Sequence, residues 1–143
     1  MKIRGYYGKN RLGFVNCQII CKDPPFALPI RLVVDTGSSG TVIADRDAGR
    51  LNLDYTKLEG PYNVLGIGGV NVRAYTLKGI NIVFRDSESS YYVETLPEIK
   101  VLRHRAKTRK ERISIRRIPS LLGLDILKKY KVRFNKNGVI IEK

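Results

Sequence analysis

The amino-acid sequence predicts an all-β protein, a barrel or sandwich of short strands with one or two short helices. Two observations carry that expectation. Short runs rich in Val, Ile, Leu and Phe recur along the 143 residues. Clusters of Gly, Pro, Asp and Ser separate them at close intervals, which is the punctuation of sheet rather than helix. A single domain spanning 1–143 is expected from the length, and the 43% hydrophobic content suffices to fill a core.

Taken in order, residues 12–21 and 28–35 read as two strands joined by a longer loop at Asp23-Pro24-Pro25. Residues 42–51 (VIADRDAGRL) are the first plausible helix, a short one. The strands expected at 61–66 and 70–77 flank Gly68-Gly69, a strong hairpin-turn signal. Residues 79–85 and 90–96 alternate apolar and polar around the cluster Asp86-Ser87-Glu88-Ser89. A second short helix is expected at 125–131 with Asp125 as its N-cap, and GVIIE at 138–142 closes the chain as a strand.

One segment departs from this rhythm. Residues 103–117 hold eight Lys/Arg and one Glu, half of the chain's net charge of +14. No regular apolar period runs through them, so they read as an exposed, mobile insertion. A nucleic-acid contact is the rival reading of such a run. The absence of a zinc-finger, RNP-like or helix-turn-helix pattern leaves a solvated loop as the better one.

Other classes are excluded more simply. No apolar run approaches the ~18 residues of a membrane span. The N-terminus MKIRGYYGKNR has no apolar leader, so a soluble, cytoplasmic protein is expected. Cys17 and Cys21 share one expected strand, about 13 Å apart, too far for a disulfide. They read as reduced thiols. With His104 the only histidine, no metal site is expected.

The chemistry concentrates at 33–43, VVDTGSSGTVI. Asp and Gly are ordinary turn residues, but here an apolar strand runs directly into the carboxylate of Asp35. Gly37 permits close backbone approach, and Ser38 offers a hydroxyl within reach. Such an arrangement holds a carboxylate rigidly.

These residues resemble the retropepsin-like aspartic proteases, single-domain relatives of pepsin. Three motifs match in order: Asp35-Thr36-Gly37 with Ser38, the glycine-rich LGIGGV at 65–70, and LLGLDIL at 121–127. The stretch TVIADRDAGRLNL after the triplet is similar to that of cellular and microbial members. The resemblance covers nearly the whole chain except 103–117. It implies a closed barrel, a homodimer and peptide-bond hydrolysis without metal or cofactor. By the same resemblance Asp35 is the catalytic carboxylate, and Thr36 bonds across the dimer. Gly37 brings its amide to the carboxylates, and Ser38 donates to the outer oxygen of Asp35. Gly66, Ile67, Gly68 and Gly69 form the flap over a peptide substrate, and the terminal strand 138–142 pairs across the two-fold. Leu121, Leu122 and Gly123 are scaffold. Tyr75 either lines the cleft or, as is commoner for a strand tyrosine, is packed. An acidic pH optimum follows, with the Ser38→Ala profile moved to higher pH. Only one Asp-Thr-Gly is present, so two chains must each give one Asp35. A non-catalytic peptide-binding or nucleic-acid-binding module on the same fold is the alternative.

Overall fold

The computed structural model describes residues 1–65 and 71–143. The strands are β1 (Lys2–Arg4), β2 (Tyr6–Tyr7), β3 (Gly13–Lys22), β4 (Pro25–Val34), β5 (Val42–Ile43), β6 (Glu59–Leu65), β7 (Asn71–Arg85), β8 (Tyr91–Arg103), β9 (Leu121–Leu122), β10 (Lys131–Asn135) and β11 (Gly138–Glu142). Between them lie the helices α1 (Asp45–Leu51), α2 (Arg109–Arg116) and α3 (Leu124–Leu127), and a 3-10 turn at Tyr55–Lys57.

Strand β3 shows why the sheet forms. Val15, Cys17, Ile19 and Cys21 point inward, while Asn16 and Gln18 stay exposed, the period-2 pattern of a half-buried strand. Its hairpin with β4 is tighter than expected. Lys22 lies opposite Pro25, leaving only Asp23-Pro24 as the turn. Proline is tolerated so deep in β4 because that part of the strand is an edge. The carbonyl of Pro29 faces away from β3 and accepts from Arg50, so the missing N–H breaks no ladder bond.

The two strands expected at 70–77 and 79–85 are one strand, β7. Gly79 adopts φ +65°, a conformation glycine reaches without steric cost, and pairing with β8 continues on both sides of it. The inward set shifts there: Leu77 is buried before the bend, and Ile80, Ile82 and Phe84 are buried after it. This bend closes the barrel. The first part of β7 pairs with β6, whereas residues 80–84 pair with β3. The resulting ring runs β3-β4-β9-β5-β8-β7 and back to β3.

Ile19, Leu32, Ile43, Ile82, Phe84, Leu122 and Ile126 fill the barrel, each at most 1% exposed. Each such side chain contributes roughly 1.5–3 kcal/mol by leaving water. Cys17 and Cys21 are buried, unpaired thiols. Burial, aided by the charge of Asp47, pushes the Cys17 thiol up to about 12, so it stays protonated and unreactive at neutral pH.

Two expectations need correction. The terminal strand β11 is not an open edge. It lies between β1 and β10 of its own chain, with Val139 and Ile141 fully buried. Burying these two side chains favours the strand pairing available within the chain. The basic segment, in turn, is not an irregular loop. Arg103 ends β8, and 109–116 form α2. An N-cap explains this helix: the Thr108 hydroxyl accepts from the Glu111 amide, and the Glu111 carboxylate accepts from the Lys107 amide just before the cap. Its residues are nonetheless mostly exposed. Among the described residues no helix is long and apolar enough to cross a membrane.

Candidate active site

Strand β4 ends at Val34, and the chain turns at Asp35. Strand β9 runs parallel beside it, pairing Val33 with Leu121 and Val34 with Leu122. On its other side β9 meets β5. The chain therefore leaves β4, loops through 35–41 and returns as β5, while β9 passes between the two arms.

The loop is fastened along its length. The Asp35 amide donates to the Leu122 carbonyl at 3.0 Å, and the Leu124 amide donates to the Ser38 carbonyl at 2.8 Å. At the far end the Asp125 carboxylate accepts from both the amide (2.9 Å) and the hydroxyl (2.7 Å) of Thr41. Asp125 is therefore not the N-cap of α3. Gly123 holds that position, and the helix is shorter than expected. Besides accepting from the adjacent Ile126 amide at 2.9 Å, the carboxylate serves a longer-range contact with Thr41, because a buried hydroxyl and amide need an acceptor.

Asp35 itself is half-buried, with Thr36 and Gly37 exposed beside it. The Gly37 amide donates to Asp35 Oδ1 at 2.9 Å, as expected of a backbone held close to the carboxylate. Ser38 behaves differently. Its hydroxyl donates to the Gly40 carbonyl at 2.7 Å, so its one proton stiffens the loop and is not given to Asp35. The expected pH effect is revised accordingly: Ser38→Ala leaves both limbs of the pH–rate profile in place, and the loss appears as about 1 kcal/mol of stability. Profiles of kcat/KM for the two proteins check this. A shift of half a pH unit or more would show that the hydroxyl serves Asp35 after all.

The remaining six aspartates have other tasks. Asp23 lies in the β3–β4 turn. Asp45 accepts from the backbone amide of His104 and pairs with its ring at 2.6 Å. Asp47 accepts from the Ser120 hydroxyl at 2.6 Å. Asp54 caps the 3-10 turn, Asp86 closes the β7–β8 turn through the amides of Glu88 and Ser90, and Asp125 holds Thr41. Among the described residues no second carboxylate accompanies Asp35.

Sequence reading missed the pair Asp47–Ser120. Ser120 also accepts from the Ala44 amide at 2.9 Å, and its carbonyl receives the Val33 amide, so α1 is tied to the base of the loop. No local spacing signals a contact between residues 73 apart. Tyr75 is packed, edge-on to Tyr55 with ring centres 4.8 Å apart. The expected flap residues Gly66, Ile67, Gly68 and Gly69 lie outside the described residues. The arms β6 and β7 that carry them are paired up to Leu65 opposite Asn71.

An aspartyl protease family model matches residues 23–126. The chain belongs to the aspartyl protease family. Within the solved structures, the chain is similar to a retropepsin-like aspartic protease from Rickettsia conorii. The two are 21% identical over 99% of this chain and 89% of the other, with a TM-score of 0.63. The fold is thus retropepsin-like. The EIAV protease complexed with the inhibitor HBY-793 matches at 19% identity over 86% of this chain and 91% of that one, TM-score 0.48. The retroviral protease-like domain of Ddi1 from Leishmania major matches at 15% identity over 87% and 82%, TM-score 0.49. No curated protein matches the chain.

Proposed function

We propose that this aspartyl protease is an endopeptidase acting as a two-fold homodimer, in which each chain supplies one Asp35. One observation carries the reading. The chain holds a single Asp-Thr-Gly loop, and the other six aspartates serve other parts of the fold. The aspartic-protease mechanism uses two carboxylates that share one proton. The half-buried Asp35 and its exposed neighbours Thr36 and Gly37 offer the face on which a second copy brings the missing group.

In the assembled site the ionised Asp35 takes a proton from water as the water oxygen attacks the scissile carbonyl carbon. The protonated Asp35 of the second copy gives its proton to the carbonyl oxygen. When the tetrahedral species collapses, the C–N bond breaks. The first carboxyl returns its proton to the leaving nitrogen, and the second regains one from the hydroxyl. The Gly37 amide, 2.9 Å from Oδ1, fixes the carboxylate for this exchange. An extended peptide with apolar residues around the scissile bond is the expected substrate, under the flap of Gly66, Ile67, Gly68 and Gly69. The site requires no metal or cofactor.

Cleavage of an unfolded protein by the purified full chain between about pH 3 and 7, with and without a pepstatin-type inhibitor, tests the activity. Light scattering tests the assembly. Inhibitor-sensitive cleavage by a dimer supports the reading. Cleavage by a monomer, or none at any pH, refutes it.

A further inference from the structure

Helices α1 and α2 face each other across a groove lined by arginines. Arg46 and Arg50 come from α1, and Arg112 and Arg116 from α2. Each pair is spaced four residues apart, which stacks the two guanidinium groups on one helix face. Gly49, Ala106 and Ile115 supply the apolar lining. A neighbouring cleft extends the basic track past Arg46 and Arg50 to Arg31.

The acids nearby, Asp45 in the groove wall and Asp47 beside it, neutralise this track only in part. Asp45 is taken by His104. Asp47 lies 3.4 Å from Arg50 and 4.0 Å from Arg46, and it also holds Ser120. Arg50 is oriented further by the Pro29 carbonyl at 3.0 Å. Arg112 and Arg116 have no carboxylate within ion-pair distance among the described residues. Like charges held across a groove repel, and an anionic occupant relieves that repulsion.

We propose that the groove between α1 and α2 docks an acidic polypeptide segment that carries aliphatic side chains. Guanidinium forks match carboxylates bidentately. The aliphatic lining suits Leu or Ile side chains between them. No Phe, Tyr or Trp lines the groove, and its one ring, His104, is held by Asp45, so it offers little of the stacking surface on which single-stranded nucleic acid depends. The eight residues of α2 span about 12 Å, enough for roughly four extended residues. This docking is separate from the catalytic reading and does not depend on it.

The test uses the full-length Asp35→Asn protein, so that no probe is consumed and a failure of the catalytic reading leaves the measurement intact. Fluorescence anisotropy follows a labelled peptide of Glu-Glu-Leu repeats, a Lys-Lys-Leu control and an oligothymidylate of matched charge, at low and physiological salt. The Glu-Glu-Leu peptide binds, and Arg112→Glu/Arg116→Glu weakens it by about tenfold or more. Lys110→Glu/Arg117→Glu makes the same charge change outside the groove and weakens binding by less than about threefold. Circular dichroism confirms that each variant is folded. The milder Arg116→Ala, expected to weaken binding by about threefold or more, replaces the double variant if that one is not. Equal losses in the two double variants, tighter binding of oligothymidylate, or no peptide binding overturns the proposal.

Discussion

Asp35→Asn is expected to abolish peptide hydrolysis and to leave the fold and assembly unchanged. The substitution removes a carboxylate from each copy, so both members of the proposed pair go at once. General acid and general base each contribute about 10²–10⁴-fold, and kcat/KM is expected to fall by at least about a thousandfold. Stability should barely move, because the amide oxygen of asparagine still accepts from Gly37, whose N–H lies 2.9 Å from Asp35 Oδ1. Single-turnover cleavage, the thermal melt and the scattering mass together decide the matter. Residual activity above about a thousandth of the parent's would remove Asp35 from the chemistry. A collapsed melt would make its role structural.

Gly123→Ala should be strongly damaging for a single added methyl. A Cβ at this position would sit 2.4 Å from both the carbonyl carbon and oxygen of Gly40. Backbone dihedrals are not the cause: φ is −102°, which alanine adopts freely. The obstacle is two backbones crossing in contact, each tethered by the Leu124–Ser38 and Asp125–Ser39 hydrogen bonds. Neither can retreat without breaking them. Overpacking costs typically 1–3 kcal/mol, and more where the backbone must shift, so a loss of about 3 kcal/mol or more is expected. For a domain of this size that lowers the melting temperature by about 6–12 °C. Gly49→Ala is the control, since a Cβ there meets nothing within 4 Å. In a helix interior it should stabilise by about 0.5–1 kcal/mol. A Gly123→Ala protein that melts with the parent would show that the crossing yields easily.

Much of this was legible in the residues, and the exceptions share a cause. Asp35 at the end of an apolar run, the strand at 12–21 and the terminal strand 138–142 are local patterns, and each lies where the pattern puts it. The Thr108 cap, with Glu111 three residues on, was equally local, but eight basic residues in fifteen obscured it. The division of β7 at Gly79 failed for the opposite reason: glycine signals a break and here supplies a bend. Asp125 and Ser38 were assigned to the nearest plausible partner, a helix end and a carboxylate. Their actual partners, Thr41 and Gly40, depend on where β9 threads. The same holds for Asp47 with Ser120. Long-range pairing is set by topology, which no window of sequence contains.

The placement of β11 bears on how the protein can be controlled. Val139 and Ile141 find their burial inside one chain, so a single chain keeps these side chains covered. On the homodimer reading, folding and assembly are then distinct equilibria, and dissociation yields folded halves. Below the dissociation constant the rate follows the square of chain concentration, and halving the protein cuts cleavage about fourfold by mass action. Abundance itself then acts as the regulator, silencing the enzyme on dilution and restoring it on accumulation, with no inhibitor or refolding step between.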